Sequence, residues 1–465
     1  MFEVGLQTSN SRSIVLMNVS LMRGKIVVVG GGIAGMLCAL MLKNDRNEVV
    51  IIERDKELGG LFKSQNVYKE DIYFDYGTRF LSETDIPELE KLLYGDLDVY
   101  RFDYVSSGTF YNTLFSENSL LSDESLSEED KKKCLADLMQ TSPKDSYSNL
   151  ENQFEHTFGK SYSEILLKPI VKKIFHVDSY ELEPDSHLLF SLKRIVIYTE
   201  EHTKELKKES RFDAVVGFHN RKDGINAVKV IYPLKGGIGA WVESLENKLK
   251  AKGVEIWTNC NISAIEQTNN KIDKLSTSYG ELSVDELVWT IPTFQLIRLL
   301  NLPTEKTAPP KLLTFVMFHF IIDKRYLSDL AFVQCFDLNC ETFRVTLYNN
   351  YRPREDGLYL LTSEVLLENV EQFTDKLKER IFQEIIYMKL IPEDSQIVFS
   401  HYNLYPNSFP VPTTEFSQAM KNQNDLVKDK FDNLRLFGKS NSKSFFMDDV
   451  LRDIYYQLKG ETNVI

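Results

Sequence analysis

A glycine-rich segment near the N-terminus constrains the fold of this chain more than any other feature. The strand-like run Lys25–Val29 leads into the sequence GGGIAG at residues 30–35, and a helix-like pattern follows from Met36 to Lys43. A second strand-like run, Glu48–Ile52, ends at Glu53. A strand, a GxGxxG turn, a helix and a second strand ending in a carboxylate are typical of a dinucleotide-binding βαβ unit. The sequence therefore predicts a Rossmann-like fold here.

The glycines of this motif have different expected tasks. Gly30 permits the tight turn, Gly32 lets the backbone approach a pyrophosphate, and Gly35 allows close helix–strand packing. Ile33 and Ala34 open the helix, whose N-terminus attracts negative charge. Glu53 is placed to accept hydrogen bonds from ribose hydroxyls. The alternative is a glycine-rich turn with a purely structural role.

Composition excludes several classes of protein. The chain has 465 residues, with 55 Lys plus Arg against 68 Asp plus Glu and a formal net charge of −13. This acidic balance argues against a nucleic-acid binder, which must neutralise phosphates. The basic run 131–133 follows the acidic run 128–130, so we interpret it as a solvated helix face. The length predicts two or three domain-sized lobes.

Cysteine and histidine usage makes a metal site or a disulfide framework improbable. The cysteines number five and show no CxxC spacing; they are Cys38, Cys134, Cys260, Cys335 and Cys340. No HExxH pattern occurs, and the seven histidines are scattered. We therefore predict no metal and a reducing compartment.

No apolar run approaches the roughly 20 residues of a membrane span. The segment Ile14–Met22 is a weak signal-peptide candidate or a flexible extension, and Met22 is an alternative start. We expect a cytoplasmic protein without a transmembrane segment.

The residues after Glu53 carry a resemblance to a known family. They read RDKELGG, so that a basic residue, Arg54, follows the acidic one and a glycine pair, Gly59 and Gly60, comes next. This pattern resembles the FAD-containing group of amine oxidases, protoporphyrinogen oxidase, phytoene desaturases and UDP-galactopyranose mutase, in which the glycine pair runs past the flavin side of the cofactor. Many members carry Arg directly after the pair. This chain has Leu61 there, with Lys63 nearby as a substitute.

Two further segments extend the resemblance. The sequence FDYGTRF at residues 74–80 is similar to the segment that passes near the flavin ring. Relatives often carry His where Arg79 stands, so Arg79 is either a contact for a substrate anion or a surface residue. Residues 232–239, a helix and a strand resemble the second sheet-return unit. There Ile262 matches a position whose backbone contacts the adenine, and its alternative role is a plain core residue.

The C-terminal segment resembles the mutase version of the family. Gly438 and Lys439 are followed by FFMDDV at residues 445–450, where Met447 and Asp448 open a helix. Backbone N–H groups at that helix start could stabilise negative charge on a reduced flavin. The alternative has Asp448 as an N-cap and Phe445 and Phe446 as core residues.

The resemblance implies an α/β fold: a Rossmann-like FAD-binding domain of the glutathione-reductase-like flavoprotein type, with an inserted mixed α+β substrate domain. The expected segments are an N-terminal extension at 1–22, FAD-binding parts at 23–84, 226–300 and 416–465, an inserted lobe at 85–225 and a β-rich substrate lobe at 301–415. Helices are predicted at Glu128–Met139, Tyr162–Phe175, Ala240–Lys252 and Val370–Met388.

Three functional hypotheses remain open. The first is a FAD-dependent oxidoreductase that acts through flavin N5 on a polar, nucleotide-linked sugar or related small molecule; no catalytic side chain is assigned beyond the candidate Arg79. The second is non-redox, mutase-like flavin chemistry, as in polysaccharide biosynthesis. The third is a binding protein similar to GDP-dissociation inhibitors, against which the intact glycine motif, Glu53 and the glycine pair count.

Two further expectations concern ligands. FAD is expected to be non-covalent, because the last cysteine, Cys340, lies well before Gly438. A diphosphate of the substrate could be held by a clamp of four residues, which are Lys172, Arg194, Tyr348 and Arg352. The alternative places these residues on the solvated surface. The oligomeric state is left open.

Overall fold

The computed structural model describes residues 24–220, 229–303, 309–438 and 446–460. The helices of these ranges are α1 Ile33–Leu42, α2 Pro87–Tyr94, α3 Glu128–Met139, α4 Leu150–Thr157, α5 Lys160–Tyr162, α6 Lys168–Phe175, α7 Glu200–Leu206, α8 Ser210–Asp213, α9 Gly239–Ala251, α10 Thr293–Leu299, α11 Asp375–Tyr387, α12 Thr414–Val427 and α13 Met447–Lys459.

The strands of the same ranges are β1 Gly24–Val29, β2 Asn47–Ile52, β3 Ser64–Asn66, β4 Tyr73–Asp75, β5 Leu81–Ser82, β6 Val99–Phe102, β7 Ser107–Tyr111, β8 Leu114–Ser116, β9 Leu121–Ser122, β10 Ile195–Val196, β11 Val216–Gly217, β12 Val230–Pro233, β13 Glu255–Trp257, β14 Ile262–Thr268, β15 Lys271–Thr277, β16 Gly280–Ser283, β17 Glu286–Trp289, β18 Leu312–Ile322, β19 Phe332–Cys335, β20 Thr342–Leu347, β21 Tyr359–Leu367, β22 Ile397–Pro410 and β23 Leu434–Leu436.

A five-stranded parallel sheet lies in the part predicted to bind the dinucleotide, in the order β13-β2-β1-β17-β23. Its central strand β1 is buried from Ile26 to Val29, as expected of an apolar strand covered on both faces. Helix α1 packs against α9 and α13. The predicted apolar face of α9, formed by Trp241, Leu245 and Leu249, is buried. The Rossmann-like fold class is confirmed.

A seven-stranded sheet lies in the β-rich part, in the order β22-β18-β21-β20-β19-β7-β8. One of its faces is apolar and packs on α11, with Phe318, Val345 and Val365 meeting Ile381 and Ile385 in one core. Strand β22 and helix α12 were not predicted. The predicted helix Val370–Met388 begins only at Asp375, because residues 370–372 form a separate 3₁₀ turn with its own capping box.

Helices α3 to α6 surround a separate core in the inserted lobe. Helix α3 has the predicted bounds, and the Ser127 side chain caps it by accepting from the Asp130 N–H. The predicted continuous helix Tyr162–Phe175 is instead interrupted by a π-helical turn at Ser163–Leu167. Pro169 explains this break, because it lacks the N–H that a regular helix needs and crowds the preceding turn.

Some residues of the predicted inserted lobe pack elsewhere. Leu89 and Leu93 of α2 share a core with Trp241, and β6 pairs with β12 beside the nucleotide-binding sheet. Strands β7 and β8 belong to the seven-stranded sheet. The predicted extension at 1–22 lies outside the described residues. Among the residues described, no helix is both long and apolar enough to cross a bilayer.

Candidate functional site

The glycine turn between β1 and α1 has two closed sides and one open side. A Cβ on Gly35 would lie 1.9 Å from the Gly30 carbonyl oxygen, and one on Gly30 would lie 2.5 Å from the Thr290 Oγ1. Gly30 also has φ +105°, a conformation that glycine adopts readily. At Gly32, by contrast, a Cβ would meet nothing within 4 Å. The backbone is thus approachable at Gly32 and packed at the other two glycines.

Helix α1 points its N-terminus at this open side. Gly32 is its N-cap and offers no side chain to cover the first-turn N–H groups, which begin at Ile33 and Ala34. The first turn contains no acidic residue. An uncapped helix start with an approachable backbone favours binding of an anionic group such as a diphosphate.

Glu53 is fixed beside the same turn. Its Oε2 accepts a hydrogen bond from the Gly31 N–H at 2.7 Å, and its Oε1 accepts one from the Asp55 N–H at 2.9 Å. The carboxylate is half-buried and keeps further acceptor capacity for a hydroxyl. The neighbouring Arg54 side chain is exposed and pairs with Asp55.

The glycine pair lies directly against the turn. The Gly59 N–H donates to the Gly31 carbonyl oxygen at 2.8 Å, and both Gly59 and Gly60 have positive φ. A Cβ on Gly60 would lie 3.5 Å from the Gly32 Cα. Leu61 is 62% exposed. The Lys63 ammonium pairs with Asp55 at 3.5 Å.

The C-terminal segment lies against the cradle, by which we mean the glycine turn at residues 30–35 with the start of α1 and Glu53. A Cβ on Gly438 would lie 3.7 Å from the Ala34 Cβ, so this glycine reaches the first turn of α1. Helix α13 begins at Met447 after Phe446, which provides no capping side chain. Asp448 is therefore not the N-cap but lies in the first turn, where it pairs with Arg452 at 3.6 Å.

Phe446 is 56% exposed and so is not a core residue. Lys439 and Phe445 lie outside the described residues. Ile262 is the first residue of β14 and pairs with Thr277. Its side chain packs at the edge of an apolar core, and its contact with adenine stays a prediction.

A buried carboxylate joins three segments around the cradle. Asp75 is fully buried and accepts hydrogen bonds from Ser64 Oγ at 2.7 Å, Tyr232 Oη at 2.5 Å and the Ile238 N–H at 3.0 Å. Burial raises the pKa of Asp75, and Arg352 with these donors opposes that rise. The network fixes the chain after the glycine pair to the start of α9.

The second face of the seven-stranded sheet is polar. Residues directly opposite in neighbouring strands point to the same face. The ladder registers therefore give two rows of side chains across the sheet: Asn403, Met317, Glu364, Arg344, Gln334 and Thr109 in one, and His401, His319, Thr362, Thr346, Phe332 and Ser107 in the other.

Glu364 connects this polar face to the segment at residues 77–79. Its side chain is 1% exposed and accepts two hydrogen bonds from Arg344, at 2.8 and 2.6 Å. It also accepts from the Thr78 N–H and Thr78 Oγ1, both at 2.9 Å. Burial acts to raise the pKa of Glu364, but Arg344, Arg79 and the Thr78 N–H bring it below its ordinary value.

Arg79 is half-buried at the edge of this arrangement. Its guanidinium donates to the Thr78 carbonyl oxygen at 3.1 Å. Burial lowers the pKa of Arg79; Glu364 opposes this effect and the nearby Arg344 guanidinium adds to it. Arg344 is thus paired with Glu364, whereas Arg79 interacts with this carboxylate and with Asp75 only through space, so two guanidinium groups lie where the polar face meets the 77–79 segment.

The four residues of the predicted clamp lie in different environments. Tyr348 is buried, with its hydroxyl between the Asp75 N–H at 3.1 Å and Thr362 Oγ1 at 3.1 Å. Arg352 is buried beside Tyr348 and donates to the Tyr73 carbonyl oxygen at 2.6 Å.

The other two lie on the inserted lobe. Lys172 is exposed and pairs with Asp178 at 2.9 Å, and Arg194 donates to the Asp213 carbonyl oxygen at 2.9 Å. The structure therefore does not gather the four around one position.

Sequence reasoning missed Asp75, Arg344 and Glu364. A signal for the last two existed, since each is a single charge inside an otherwise strand-like run, TFRVTL and YLLTSEVLL. Such a charge in a buried strand requires a partner.

Within the described ranges, no group of three or more His, Cys, Asp or Glu side chains could hold a metal ion.

Comparison with known proteins agrees with this geometry. Residues 28–94 match the NAD(P)-binding Rossmann-like domain family. The chain is 50% identical over 69 residues to an uncharacterized protein in the nifH2 3′ region of Methanothermococcus thermolithotrophicus, a match that covers 15% of this chain and 65% of the relative. It is 22% identical over 373 residues to 4,4′-diaponeurosporene oxygenase of Staphylococcus haemolyticus, covering 73% of this chain and 70% of that protein.

Solved structures show the same fold over nearly the whole chain. Reduced UDP-galactopyranose mutase superposes with a TM-score of 0.72 at 16% identity, covering 95% of this chain and 96% of the mutase. Cyclohexylamine oxidase from Brevibacterium oxydans gives 0.61 at 13% identity, covering 94% and 98%. Putrescine oxidase with bound putrescine gives 0.62 at 11% identity, covering 94% and 99%. These likenesses confirm, for the fold, the resemblance drawn from the sequence.

Proposed function

We propose that this chain, which has the fold shared by UDP-galactopyranose mutase and the flavin-dependent amine oxidases, is an enzyme that binds FAD. The observation that carries the proposal is the open side of the glycine turn at Gly32, which faces the uncapped start of α1 with the Glu53 carboxylate beside it. A diphosphate and a neighbouring ribose require this combination of groups.

The residues present fit the group. The backbone of residues 32–34 would hold the pyrophosphate and Glu53 the adenosine ribose. The glycine pair at 59–60 and the start of α13 would lie along the remainder of the cofactor. When bound, FAD supplies hydride or nucleophilic chemistry at its N5 atom. The chain's own contribution is orientation: the Asp75 network fixes the segments on both sides of the cradle.

The first experiment is the absorption spectrum of the purified protein, followed by acid denaturation. Flavin bands and release of free FAD into the supernatant are expected, because the binding we propose is non-covalent. Flavin that stays with the precipitated chain would contradict non-covalent binding. A colourless protein that gains no flavin band with added FAD would favour a binding protein of the GDP-dissociation-inhibitor type.

The Glu53→Ala variant tests the cradle. Charge-assisted hydrogen bonds contribute roughly 1.5–3 kcal/mol, so FAD should bind about tenfold to a hundredfold more weakly. Glu57→Ala is the matched control, since Glu57 is an exposed carboxylate four positions along that pairs with Lys56. Equal FAD affinity in the two variants would overturn the assignment of Glu53.

For the substrate we propose a polar anion, with a nucleotide-linked sugar as the leading class. The two guanidinium groups of Arg79 and Arg344 support this choice, because guanidinium groups bind phosphates in a bidentate manner. The overall charge of −13 opposes an anion at long range. However, screening over about 8 Å at physiological salt lets the local charge dominate.

The chemistry has two candidates that share the cofactor. One is an oxidoreductase, as the names of the oxidase and oxygenase relatives suggest. The other is a non-redox mutase, favoured by the mutase-like C-terminal segment and by the similarity to reduced UDP-galactopyranose mutase. Turnover that consumes an external electron acceptor in proportion to product would support the first, and turnover of pre-reduced enzyme without an acceptor would support the second.

A thermal-shift screen of nucleotide sugars, simple amines and porphyrinogens tests the substrate class. Stabilisation by nucleotide sugars should be lost in Arg79→Ala with FAD retained, and kept in the control Arg325→Ala, whose arginine is exposed and distant in sequence. Stabilisation by amines alone, or turnover of a lipophilic ring system, would refute the proposal.

A further inference from the structure

Two cysteines lie together at the turn that connects β19 to β20. Cys335 is the last residue of β19, and Cys340 precedes β20 by one residue. Both thiols are free and belong to the same buried core, at the two ends of one short turn. Only four residues, 336–339, separate them along the chain, so a bond between them requires rearrangement of this one turn.

A lysine from the inserted lobe approaches one member of the pair. The Lys173 Nζ donates to the Cys335 and Thr342 carbonyl oxygens, both at 2.9 Å, and lies 3.9 Å from Cys335 Sγ. Burial acts to raise the pKa of Cys335, yet the bond from Cys340 and the charge of Lys173 bring it below its ordinary value. The hydrogen bond to Cys335 and burial raise the pKa of Cys340. The two thiols therefore differ: one favours the thiolate and the other retains its proton.

The turn offers a route from solvent. Its tip is formed by Leu338, which is 52% exposed, and the exposed Asn339, while Cys340 is 4% exposed. Asp337 holds the tip, accepting from the Asn339 N–H at 2.9 Å and from the Cys340 N–H, through its backbone carbonyl, at 3.2 Å. Opening of these few bonds would admit a small reagent.

The pair is also separate from the candidate cofactor site. Cys335 and Cys340 belong to the core between the seven-stranded sheet and α11. The polar face with Arg344 and Glu364 is on the opposite side of that sheet. Chemistry at the thiols can thus be followed independently of flavin binding.

We propose that Cys335 and Cys340 form a modification site that hydrogen peroxide converts into a disulfide, with Cys335 as the attacking thiolate and Cys340 as the resolving thiol. The Cys335 sulfur attacks one peroxide oxygen, the O–O bond breaks, and Cys335 sulfenic acid and hydroxide form. The Cys340 sulfur then attacks the Cys335 sulfur, and the sulfenic hydroxyl leaves as water with the Cys340 proton. Two cysteines lose two electrons, and one peroxide is reduced to one water and one hydroxide, which becomes the second water by taking a proton from solvent.

The disulfide would alter the junction between two parts of the molecule. Lys173 belongs to α6, and its ammonium is the link described above between that helix and the β19–β20 turn. Loss of the thiolate removes the negative partner of this buried ammonium. Oxidation is therefore expected to loosen the attachment of α6 to the sheet.

The experiment uses the full-length protein treated with hydrogen peroxide, quenched with N-ethylmaleimide and digested with trypsin without reduction. Trypsin cleaves after Arg325 and Arg344, so both cysteines fall in one peptide, residues 326–344. We expect this peptide to become two hydrogen masses lighter and to lack the label. Cys38, Cys134 and Cys260 are as buried as the pair but lie in other cores, so they serve as internal controls for burial alone and should remain unmodified until labelled after unfolding.

Three variants separate the roles. In Cys340→Ser, dimedone should trap a sulfenic acid on Cys335; in Cys335→Ser, Cys340 should stay unreactive. Lys173→Met should slow disulfide formation several-fold or more, because the thiolate fraction falls. The control Lys160→Met, at an exposed lysine of α5, should leave the rate unchanged.

A native protein whose 326–344 peptide carries two labels after treatment would overturn the proposal, as would over-oxidation without a disulfide. Dimedone capture on Cys340 rather than Cys335 would overturn the assigned roles. If Lys173→Met does not fold, as judged by circular dichroism, the dimedone comparison of the two serine variants still decides these roles.

Discussion

The glycine cradle and the polar face of the seven-stranded sheet are built in opposite ways. The cradle consists of backbone: glycines that permit close approach, a helix start, and one carboxylate held by main-chain N–H groups. The polar face consists of side chains supplied by separate strands and joined through Glu364. The first arrangement suits a constant group such as the diphosphate proposed above, whereas the second can change with every substitution in a strand.

The difference shows where each part of the proposed flavin site can vary. A cradle made of main chain tolerates few changes, because the spaces between backbone atoms are fixed by the fold. A face made of side chains keeps its position as long as the buried charges remain paired. Substitutions can therefore be chosen that disrupt one region and leave the other intact.

The largest effect is expected for Gly35→Ala. The added Cβ would meet the Gly30 carbonyl oxygen at 1.9 Å, and neither backbone can retreat without opening the turn. We expect the free energy of unfolding to fall by about 4–5 kcal/mol, the range reached by severe overpacking. Denaturant unfolding of the apoprotein measures this free energy.

Gly32→Ala is the control, because its Cβ meets nothing within 4 Å. This variant should unfold like the parent and lose affinity only for FAD. Equal stability of the two variants would show that the turn is not packed as described.

The second effect concerns the pair on the polar face. Glu364→Ala leaves the Arg344 guanidinium and the Thr78 N–H without their shared acceptor, and should cost about 3 kcal/mol or more. The double variant Glu364→Leu with Arg344→Met should cost less than the single one, because the Arg344 charge is removed together with its partner. A double variant that is less stable than Glu364→Ala would mean that the pair contributes net stability by itself. FAD affinity per folded molecule should change little in either case.

The same contrast explains how much of the site the sequence revealed. Gly30, Gly32, Gly35 and Glu53 were found because their task depends on local spacing along one βαβ unit. Arg344 and Glu364 are twenty positions apart and meet only through the register of β20 and β21, and Thr78 reaches them from a distant segment. Local periodicity does not encode that register. The interrupted helix at residues 163–167 was likewise missed, although Pro169 stood in the sequence as the signal.

The pH dependence of stability offers a third test, smaller in size. His319 lies in the second row of the polar face, is fully buried, and contacts Thr362 Oγ1 at 2.8 Å and Asn403 Oδ1 at 2.7 Å. Burial lowers the pKa of His319 to about 4, against an ordinary value of 6.5, and His401 adds to the lowering while Asn403 and Glu364 oppose it. As the pH falls below 6.5, His319 becomes protonated in the unfolded chain, whereas in the folded chain it is protonated only near pH 4.

Acidification from roughly pH 7 to pH 5 is therefore expected to lower the free energy of unfolding, and His319 contributes about 2 kcal/mol of this loss. Urea unfolding of His319→Gln at the two pH values should show a loss that is smaller by that amount. His187 is buried, with its pKa also lowered by burial to about 4, and so keeps part of the dependence in the variant. An unchanged pH dependence would show that the folded and unfolded chains bind the proton at His319 equally well.

The smallest effect is expected where the sequence alone suggested a substrate clamp, at Lys172 and Arg194. Lys172 is exposed and paired with Asp178, and a surface pair of this kind contributes about 0–1 kcal/mol. Lys172→Ala and Arg194→Ala should therefore change the equilibrium constants of unfolding and of nucleotide-sugar binding by less than about fivefold. Arg79→Ala and Arg344→Ala, measured in the same titration, should weaken that affinity by tenfold or more, because each removes a charged hydrogen-bond donor from the polar face. If Lys172→Ala instead weakens the sugar as strongly as Arg79→Ala, the inserted lobe contributes directly to the substrate site, and the polar face is only one wall of it.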